Sequence, residues 1–152
     1  MNKKAHEQLI EFYSVLKEID SLYSKYAIQS GLSESAYWVM YTIRQIEGEC
    51  TQKSICEQWS FSKQTINSSL KILEKQGLIT LEASSHDKRS KQIILTQAGD
   101  TFAKEHIDII FEMEENTFDK MSHVERTAMI ESNRRYLELF RTEMNNFYNR
   151  HS

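Results

Sequence analysis

Apolar residues recur at helical spacing near both ends of the chain. Near the N-terminus they alternate steps of three and four residues, at Leu9, Phe12, Leu16, Ile19, Tyr23 and Tyr26. This spacing predicts one long helix over residues 7–30 with a narrow apolar seam of the kind that packs against another helix. Near the C-terminus the same steps recur at Leu137, Phe140, Met144 and Phe147. A second such helix is therefore predicted over residues 122–149.

Capping residues divide the chain between these two helices. Ser33, Thr51, Ser62 and Thr96 each precede a stretch with helical periodicity, and hydroxyl side chains are favoured at helix N-caps. The predicted helices that follow these caps run over residues 34–46, 52–59, 63–76 and 97–120, and Gly77 is suited to end the third of these. Two of the helices are separated only by residues 60–62, which is the helix-turn-helix pattern.

A β-hairpin is predicted directly after this pattern. Residues 78–83 and 91–96 are rich in strand-forming residues, and the polar segment 84–90 between them is basic. A hairpin with a basic tip beside a helix-turn-helix makes a winged helix. The predicted fold class is thus mainly α with a small β-hairpin wing, in a winged helix-turn-helix with long N- and C-terminal dimerisation helices. Those helices carry more apolar surface than one small region can cover, which favours a dimer.

The distribution of charge changes what the composition implies. The net charge of the whole chain is −3, which alone argues against a nucleic-acid-binding protein. Residues 51–97, however, contain seven Lys and Arg against four acidic residues. Because binding depends on the local charge, the predicted winged helix can still bind DNA. The helix over 63–76 also exposes side chains that can contact base edges and phosphates, at Lys63, Gln64, Thr65, Asn67, Ser68 and Lys71.

The hairpin and the following helix resemble a known family. The run Asp87-Lys-Arg-Ser-Lys-Gln-Ile-Ile-Leu-Thr-Gln-Ala-Gly99 resembles the wing signature of the MarR family of winged-helix transcription regulators, in which Asp, Arg and Lys alternate before Leu-Thr-x-x-Gly. Upstream, Thr51-Gln52, Ile55, Ser62-x-x-Thr65-Ile66, Leu73-Glu74 and Gly77-Leu78-Ile79 resemble the helix-turn-helix of the family. The order of elements covers nearly the whole chain.

The resemblance implies a homodimer that binds pseudo-palindromic double-stranded DNA, usually as a repressor released by a small molecule or by oxidation. It also implies one domain over residues 1–152, with DNA binding by residues 33–97 and dimerisation by residues 1–30 and 98–152. Arg89 matches the wing arginine that enters the minor groove, and Asp87 matches the acid that orients it. Lys88 and Lys91 complete the set of candidate DNA-binding residues in the hairpin.

Two positions depart from the pattern of the family. Ser68 stands where the family often has an arginine in the recognition helix, and Ala36 replaces a glutamine that is common in the second helix. The first departure leaves Gln64, Thr65 and Asn67 as the base-contacting candidates, which favours an A/T-rich half-site.

The aromatic residues of the first two helices suggest an effector site. In proteins that resemble this one, effectors bind between the DNA-binding region and the dimerisation helices. Tyr13, Tyr37, Trp38 and Tyr41 are accordingly candidates for binding a small aromatic effector. The alternative is that most of them belong to the core or to the dimer interface.

The two cysteines raise the possibility of a thiol-based redox sensor. Cys56 is expected to be a small buried residue, whereas Cys50 is expected to be the exposed one and the candidate for oxidation. The peroxide-sensing branch of the family uses a cysteine in the first helix, and this chain lacks one.

Other functional classes find no support in the sequence. It contains no phosphate-binding loop, glycine-rich nucleotide turn, nucleophile elbow or metal-ligand spacing, so we expect neither an enzyme nor a bound cofactor or metal. A polar start without a signal peptide, and the lack of a long apolar run, predict a cytoplasmic protein that does not enter a membrane. A winged-helix protein-interaction module without DNA binding is the alternative of another class, although Asp87, Arg89 and Lys91 argue against it.

Overall fold

The computed structural model describes residues 3–59, 61–83 and 91–151. The helices in these ranges are α1 (Lys3–Gln29), α2 (Glu34–Gln45), α3 (Gln52–Gln58), α4 (Lys63–Lys75), α5 (Gln97–His106), α6 (Asp108–Lys120) and α7 (His123–His151). The strands β1 (Ile79–Ala83) and β2 (Lys91–Leu95) form an antiparallel pair, in which Ile79 lies opposite Leu95 and Ala83 lies opposite Lys91. The predicted fold class, mainly helical with one hairpin, is confirmed. Within the described ranges, no helix is long and apolar enough to cross a membrane.

The predicted helix caps are present as hydrogen bonds. The side chains of Ser33, Thr51, Ser62 and Thr96 each accept a bond from the backbone N–H three residues later, at the starts of α2, α3, α4 and α5. After α4 the chain turns at Gly77, whose φ of +73° is readily adopted by glycine. Local side-chain chemistry therefore fixes where most helices begin.

The segment predicted as one helix over residues 97–120 forms two helices, so that prediction is wrong. α5 ends at His106 and α6 begins at Asp108, with Ile107 buried between them. Two side chains of α2 bind this junction. The Tyr37 hydroxyl donates to the carbonyl oxygen of His106 at 3.1 Å, and the Arg44 guanidinium donates two bonds to the Asp108 carboxylate at 2.8 and 2.6 Å. Contacts from a distant part of the chain thus accompany the break, which has no glycine or proline.

The core of the N-terminal part of the chain is built around α2. This helix packs against α1, α3, α4, α5 and β2, and seven of its twelve residues are buried. The other large buried side chains belong to the helices and strands that surround it, at Ile55, Ile66, Leu73, Ile79 and Ile107. The helix-turn-helix and the hairpin therefore share one core.

The chain divides into two compact units, residues 1–109 and residues 110–152. The second unit contains most of α6 and all of α7. Ser122 begins α7 with a capping box, since its hydroxyl accepts from the Glu125 N–H and the Glu125 carboxylate accepts from the Ser122 N–H. No residue of α7 is buried, and its exposed large apolar residues are Val124, Met129, Ile130, Tyr136, Leu137, Leu139, Phe140, Met144, Phe147 and Tyr148.

Candidate nucleic-acid interface

Helix α4 is held against the core along one side. Ile66, Leu70 and Leu73 are buried, and the hydroxyl of buried Ser69 donates to the Ser35 hydroxyl of α2 at 3.0 Å. The spacing of the apolar residues follows the helical period, so the opposite side of α4 faces outward. The helix therefore presents a polar face on a fixed support.

Helix α3 is joined to the start of α4. The side-chain amide of Gln52 donates to the carbonyl oxygen of Lys63 at 3.2 Å. The start of α3 is itself fixed by a reciprocal capping box between Thr51 and Ser54. The bond to Lys63 links α4 to α3 through Gln52, a residue of the helix-turn-helix resemblance that was given no role of its own.

The hairpin is attached to the residues that precede α3. The backbone N–H of Ile93 donates to the carbonyl oxygen of Cys50 at 2.8 Å, and Thr51 forms an isolated antiparallel bridge with Gln92. The strand β2 is thus bonded both to β1 and to the start of the helix-turn-helix. These bonds fix the base of the hairpin beside α3 and α4.

The candidate residues of α4 divide between two neighbouring faces of the helix. Lys63, Asn67 and Lys71 line a cleft between α4 and the hairpin. Gln64 and Ser68, each one residue after a cleft residue, are exposed on the neighbouring face of the helix. The hydroxyl of Thr65 lies 2.8 Å from the Ser62 hydroxyl and is therefore engaged in the helix cap. Gln64, Asn67 and Ser68 remain as the uncharged side chains that are open to a ligand.

The cleft has a volume of about 640 Å³ and lies between α3, α4 and the two strands. We call it the lysine cleft, because Lys53 of α3, Lys63 and Lys71 of α4, and Lys91 of β2 all line it. Its apolar lining consists of Leu70, Leu81 and Ile93, and its other lining residues are Thr51, Gln52, Cys56, Asn67 and Glu74. Lys53, Cys56 and Glu74 were not among the DNA-binding residues predicted from the sequence. Each lines the cleft only because α3, α4 and the hairpin meet there in the folded chain.

The lysines of the cleft are largely without counter-charges. Lys53 lies 3.8 Å from Glu57, and both side chains are mostly exposed. Over the part of the chain that the structure describes, no carboxylate oxygen lies within 4.0 Å of the ammonium groups of Lys63, Lys71 or Lys91. Four cations and one carboxylate therefore share one cleft, and such a surface favours a polyanion.

Three of the predicted DNA-binding residues fall outside the described ranges. They are Asp87, Lys88 and Arg89, which belong to the segment 84–90 between β1 and β2 in the sequence. Lys91, the next candidate, is the first residue of β2 and is exposed.

Three of the four candidate effector-binding residues lie together. The ring of Trp38 lies 5.8 Å from that of Tyr37 and 5.2 Å from that of Tyr41. From α1, the ring of Tyr23 lies 5.1 Å from that of Trp38, and Tyr13 precedes Tyr23 by ten residues, or about 15 Å along a helix. Tyr37 is fully buried. Tyr41 is also buried, so of the three clustered rings only that of Trp38 is partly exposed, and it also lies 4.6 Å from the ring of Trp59.

The structure reverses the roles expected of the two cysteines. Cys50 is buried, with 3% of its surface exposed, and burial raises the pKa of its thiol to about 11. Its backbone carbonyl oxygen accepts the bond from Ile93 of β2, and the Ser54 hydroxyl lies 4.0 Å from its sulfur. Cys56 is the partly exposed one and lines the lysine cleft. The expectation that Cys50 is the exposed thiol is therefore wrong.

The described residues hold no cluster of three or more His, Cys, Asp or Glu side chains that could bind a metal ion. The chemistry offered by this surface is that of ammonium, amide and hydroxyl groups, which bind anions and hydrogen-bonding partners.

Comparison with known proteins points to one family. Residues 30–90 match the MarR family, whereas none of the curated proteins matches the chain. Among solved structures, NMB1585, a MarR family regulator from Neisseria meningitidis, is 27% identical with a TM-score of 0.74, over 91% of this chain and 97% of that one.

Two further structures share the fold. MepR of S. aureus in complex with DNA is 23% identical with a TM-score of 0.65, over 86% of this chain and 96% of that one. BpsR of Bordetella bronchiseptica, whose DNA binding is regulated by 6-hydroxynicotinic acid, is 18% identical with a TM-score of 0.60, over 83% of this chain and 98% of that one. The match over residues 30–90 and the likeness to NMB1585 support a winged-helix regulator of the MarR family.

Proposed function

We propose that this protein binds double-stranded DNA as a homodimer in the cytoplasm and represses transcription from a pseudo-palindromic operator. The observation that carries the proposal is the polar face of α4 beside the lysine cleft, because it combines uncharged groups for base edges with cations for phosphates. The solved complex of MepR with DNA supports the same function for a protein of this fold.

Helix α4 enters the major groove in this proposal. Gln64, Asn67 and Ser68 contact base edges, and an amide side chain can bind adenine through two hydrogen bonds, which favours an A/T-rich half-site. Lys63 and Lys71 contact phosphates, and Thr65 supports the start of the helix. In the hairpin, Asp87 orients Arg89 in the minor groove, where a narrow, electronegative groove favours a guanidinium, and Lys88 and Lys91 bind the adjacent phosphates.

The long terminal helices supply the dimer interface. Residues 33–97 bind DNA, and residues 1–30 and 98–152 join the two protomers. Rows of exposed apolar residues on α1 and α7 support this division, because exposed apolar surface on this scale marks an interaction site. A two-fold axis then places the two copies of α4 in successive major grooves, with half-site centres about 10 bp apart.

A small aromatic effector releases the DNA in this proposal. Trp38, with Tyr37 and Tyr41 behind it and Tyr13 further along α1, is the candidate binding region. The regulation of BpsR by an aromatic acid supports the chemical class of the effector. An effector that binds one conformer better than the other shifts the DNA affinity by that difference.

The proposal is tested by titrating the purified protein onto the DNA upstream of its own gene, at two salt concentrations and with unrelated DNA as competitor. We expect a dimer to bind this DNA tightly and to resist the competitor. If no duplex binds even at low salt, DNA binding is rejected, and a winged-helix protein-interaction module becomes the better account.

The hairpin has its own test in the same assay. Replacing Arg89 by Ala is expected to weaken binding by about 1–3 kcal/mol, because a minor-groove guanidinium contributes on this scale. Arg150→Ala, which removes the same charge near the end of α7, is the matched control and should leave binding unchanged. Equal affinities for the Arg89→Ala variant and the wild type would contradict the role given to the hairpin.

A further inference from the structure

The lysine cleft lies where one sugar–phosphate strand of a duplex bound in the proposed way has to run. The major and minor grooves of B-DNA are separated by one sugar–phosphate strand. If α4 occupies a major groove and the hairpin the adjacent minor groove, one strand has to run between them. The cleft is the space between α4 and the hairpin. The cleft therefore lies on the path of that strand.

The chemistry of the cleft suits such a strand. Lys53, Lys63, Lys71 and Lys91 come from three different elements and converge on one space. Three of them have no carboxylate within 4.0 Å over the described ranges, so their charges are available to phosphates. The apolar lining by Leu70, Leu81 and Ile93 offers a surface for the deoxyribose carbons.

Glu74 departs from this pattern. Its carboxylate lines the same cleft, and no cation of the described ranges lies within 4.0 Å of it. Glu74 therefore forms no ion pair with any lysine of the cleft. An unpaired carboxylate instead repels any phosphate that enters the cleft.

We infer that one backbone strand of the bound duplex passes through the lysine cleft, where Lys53, Lys63, Lys71 and Lys91 bind its phosphates and Glu74 limits their affinity. This inference rests on the proposed DNA binding. It adds Lys53, which belongs to α3 and not to the helix that contacts bases, and it gives Glu74 a role opposite to that of its neighbours. Because the repulsion acts on every sequence, Glu74 lowers the affinity for operator and unrelated DNA by the same factor.

The lysines are tested by the salt dependence of binding to a fixed duplex. Replacing Lys53, Lys71 or Lys91 singly by Gln is expected to reduce the slope of log affinity against log salt by about 0.9 for each protomer, since one fewer counterion is released. Lys75→Gln is the matched control, because Lys75 is an exposed lysine of α4 that does not line the cleft. Thermal unfolding of each variant checks that the fold is unchanged.

Glu74 is tested in the opposite direction. Replacing Glu74 by Gln is expected to tighten binding to operator and to unrelated DNA alike, by about threefold for each protomer at low salt, for a phosphate about 6 Å away in water. The gain should shrink as salt is raised. Glu105→Gln on α5 makes the same change in net charge outside the cleft and should have little effect.

The outcomes separate this inference from the proposed function. If the wild type binds no duplex, both are rejected. If the wild type binds DNA but the Lys53, Lys71 and Lys91 variants keep its salt slope, or lose no more than the Lys75 variant, the strand does not pass through the cleft while the proposed function stands. Unchanged or weaker binding by the Glu74→Gln variant would reject the role given to Glu74.

Discussion

Single residues determine how closely the elements of the DNA-binding region approach each other. Gly99, in the first turn of α5, donates its N–H to the capping hydroxyl of Thr96 and is packed against the backbone of Leu78. A Cβ atom at Gly99 would overlap the carbonyl oxygen of Leu78. The glycine of the Leu-Thr-x-x-Gly motif therefore lets α5 begin against the turn that follows α4.

Replacing Gly99 by Ala should lower the free energy of unfolding by about 1–3 kcal/mol, because backbone has to move to admit the methyl group. The measurement is chemical denaturation. Gln97→Ala, an exposed change in the same turn, should stay within about 0.5 kcal/mol of the wild type. Equal stabilities of the Gly99→Ala variant and the wild type would show that the approach of α5 to Leu78 is looser than described.

The two thiols should differ in reactivity. Because Cys50 is buried with a raised pKa and Cys56 is partly exposed in the cleft, iodoacetamide at pH 8 should label Cys56 well before Cys50. The rates are read from peptide masses over time in the native protein. Faster labelling of Cys50 would contradict its burial.

Among the elements, α2 connects the most parts of the N-terminal unit. Besides its core contacts, it binds the α5–α6 junction through Arg44, which also lies 3.0 Å from Asp100 of α5. The hydrogen bond with Asp108 is the main cause that raises the pKa of Arg44. The hydrogen bond from Lys104 is the main cause that lowers the pKa of Asp100, and Arg44 adds to it.

The contribution of the Arg44–Asp108 pair can be measured with a double-mutant cycle of Arg44→Met and Asp108→Asn. We expect a coupling energy of about 1 kcal/mol, since the pair is bidentate but partly exposed to solvent. The pair of Lys53 and Glu57, which is far more exposed, is the control, and its coupling energy should be only a few tenths of a kcal/mol. A coupling no larger than that of the control would show that Arg44 does not stabilise the junction.

At the scale of the whole molecule, the proposed dimer accounts for the exposed apolar rows of α1 and α7. Replacing Leu137 and Phe140 together by Glu should convert the dimer to a monomer, because two buried charges per protomer would be unpaired in the interface. Light scattering after gel filtration gives the mass. Asn145→Glu, a polar position of the same helix, is the control. A dimer that survives the double change would place the interface elsewhere.

The sequence predicted the features that depend on neighbouring residues. The caps at Ser33, Thr51, Ser62 and Thr96 and the turn at Gly77 were confirmed, because each depends on side chains within a few positions. The break at Ile107 was missed, since the contacts that bind it come from α2. The burial of Cys50 and the convergence of Lys53 and Glu74 were missed for the same reason: each depends on elements that meet only in the folded chain.

The central claim is that this protein recognises a DNA sequence through two copies of α4. The most direct measurement is the selection of bound sequences from a random duplex library by the purified dimer at physiological salt. We predict enrichment of a pseudo-palindrome with A/T-rich half-sites whose centres lie about 10 bp apart, one turn of DNA. Retention of DNA without enrichment of any sequence, or no retention at all, would contradict the claim.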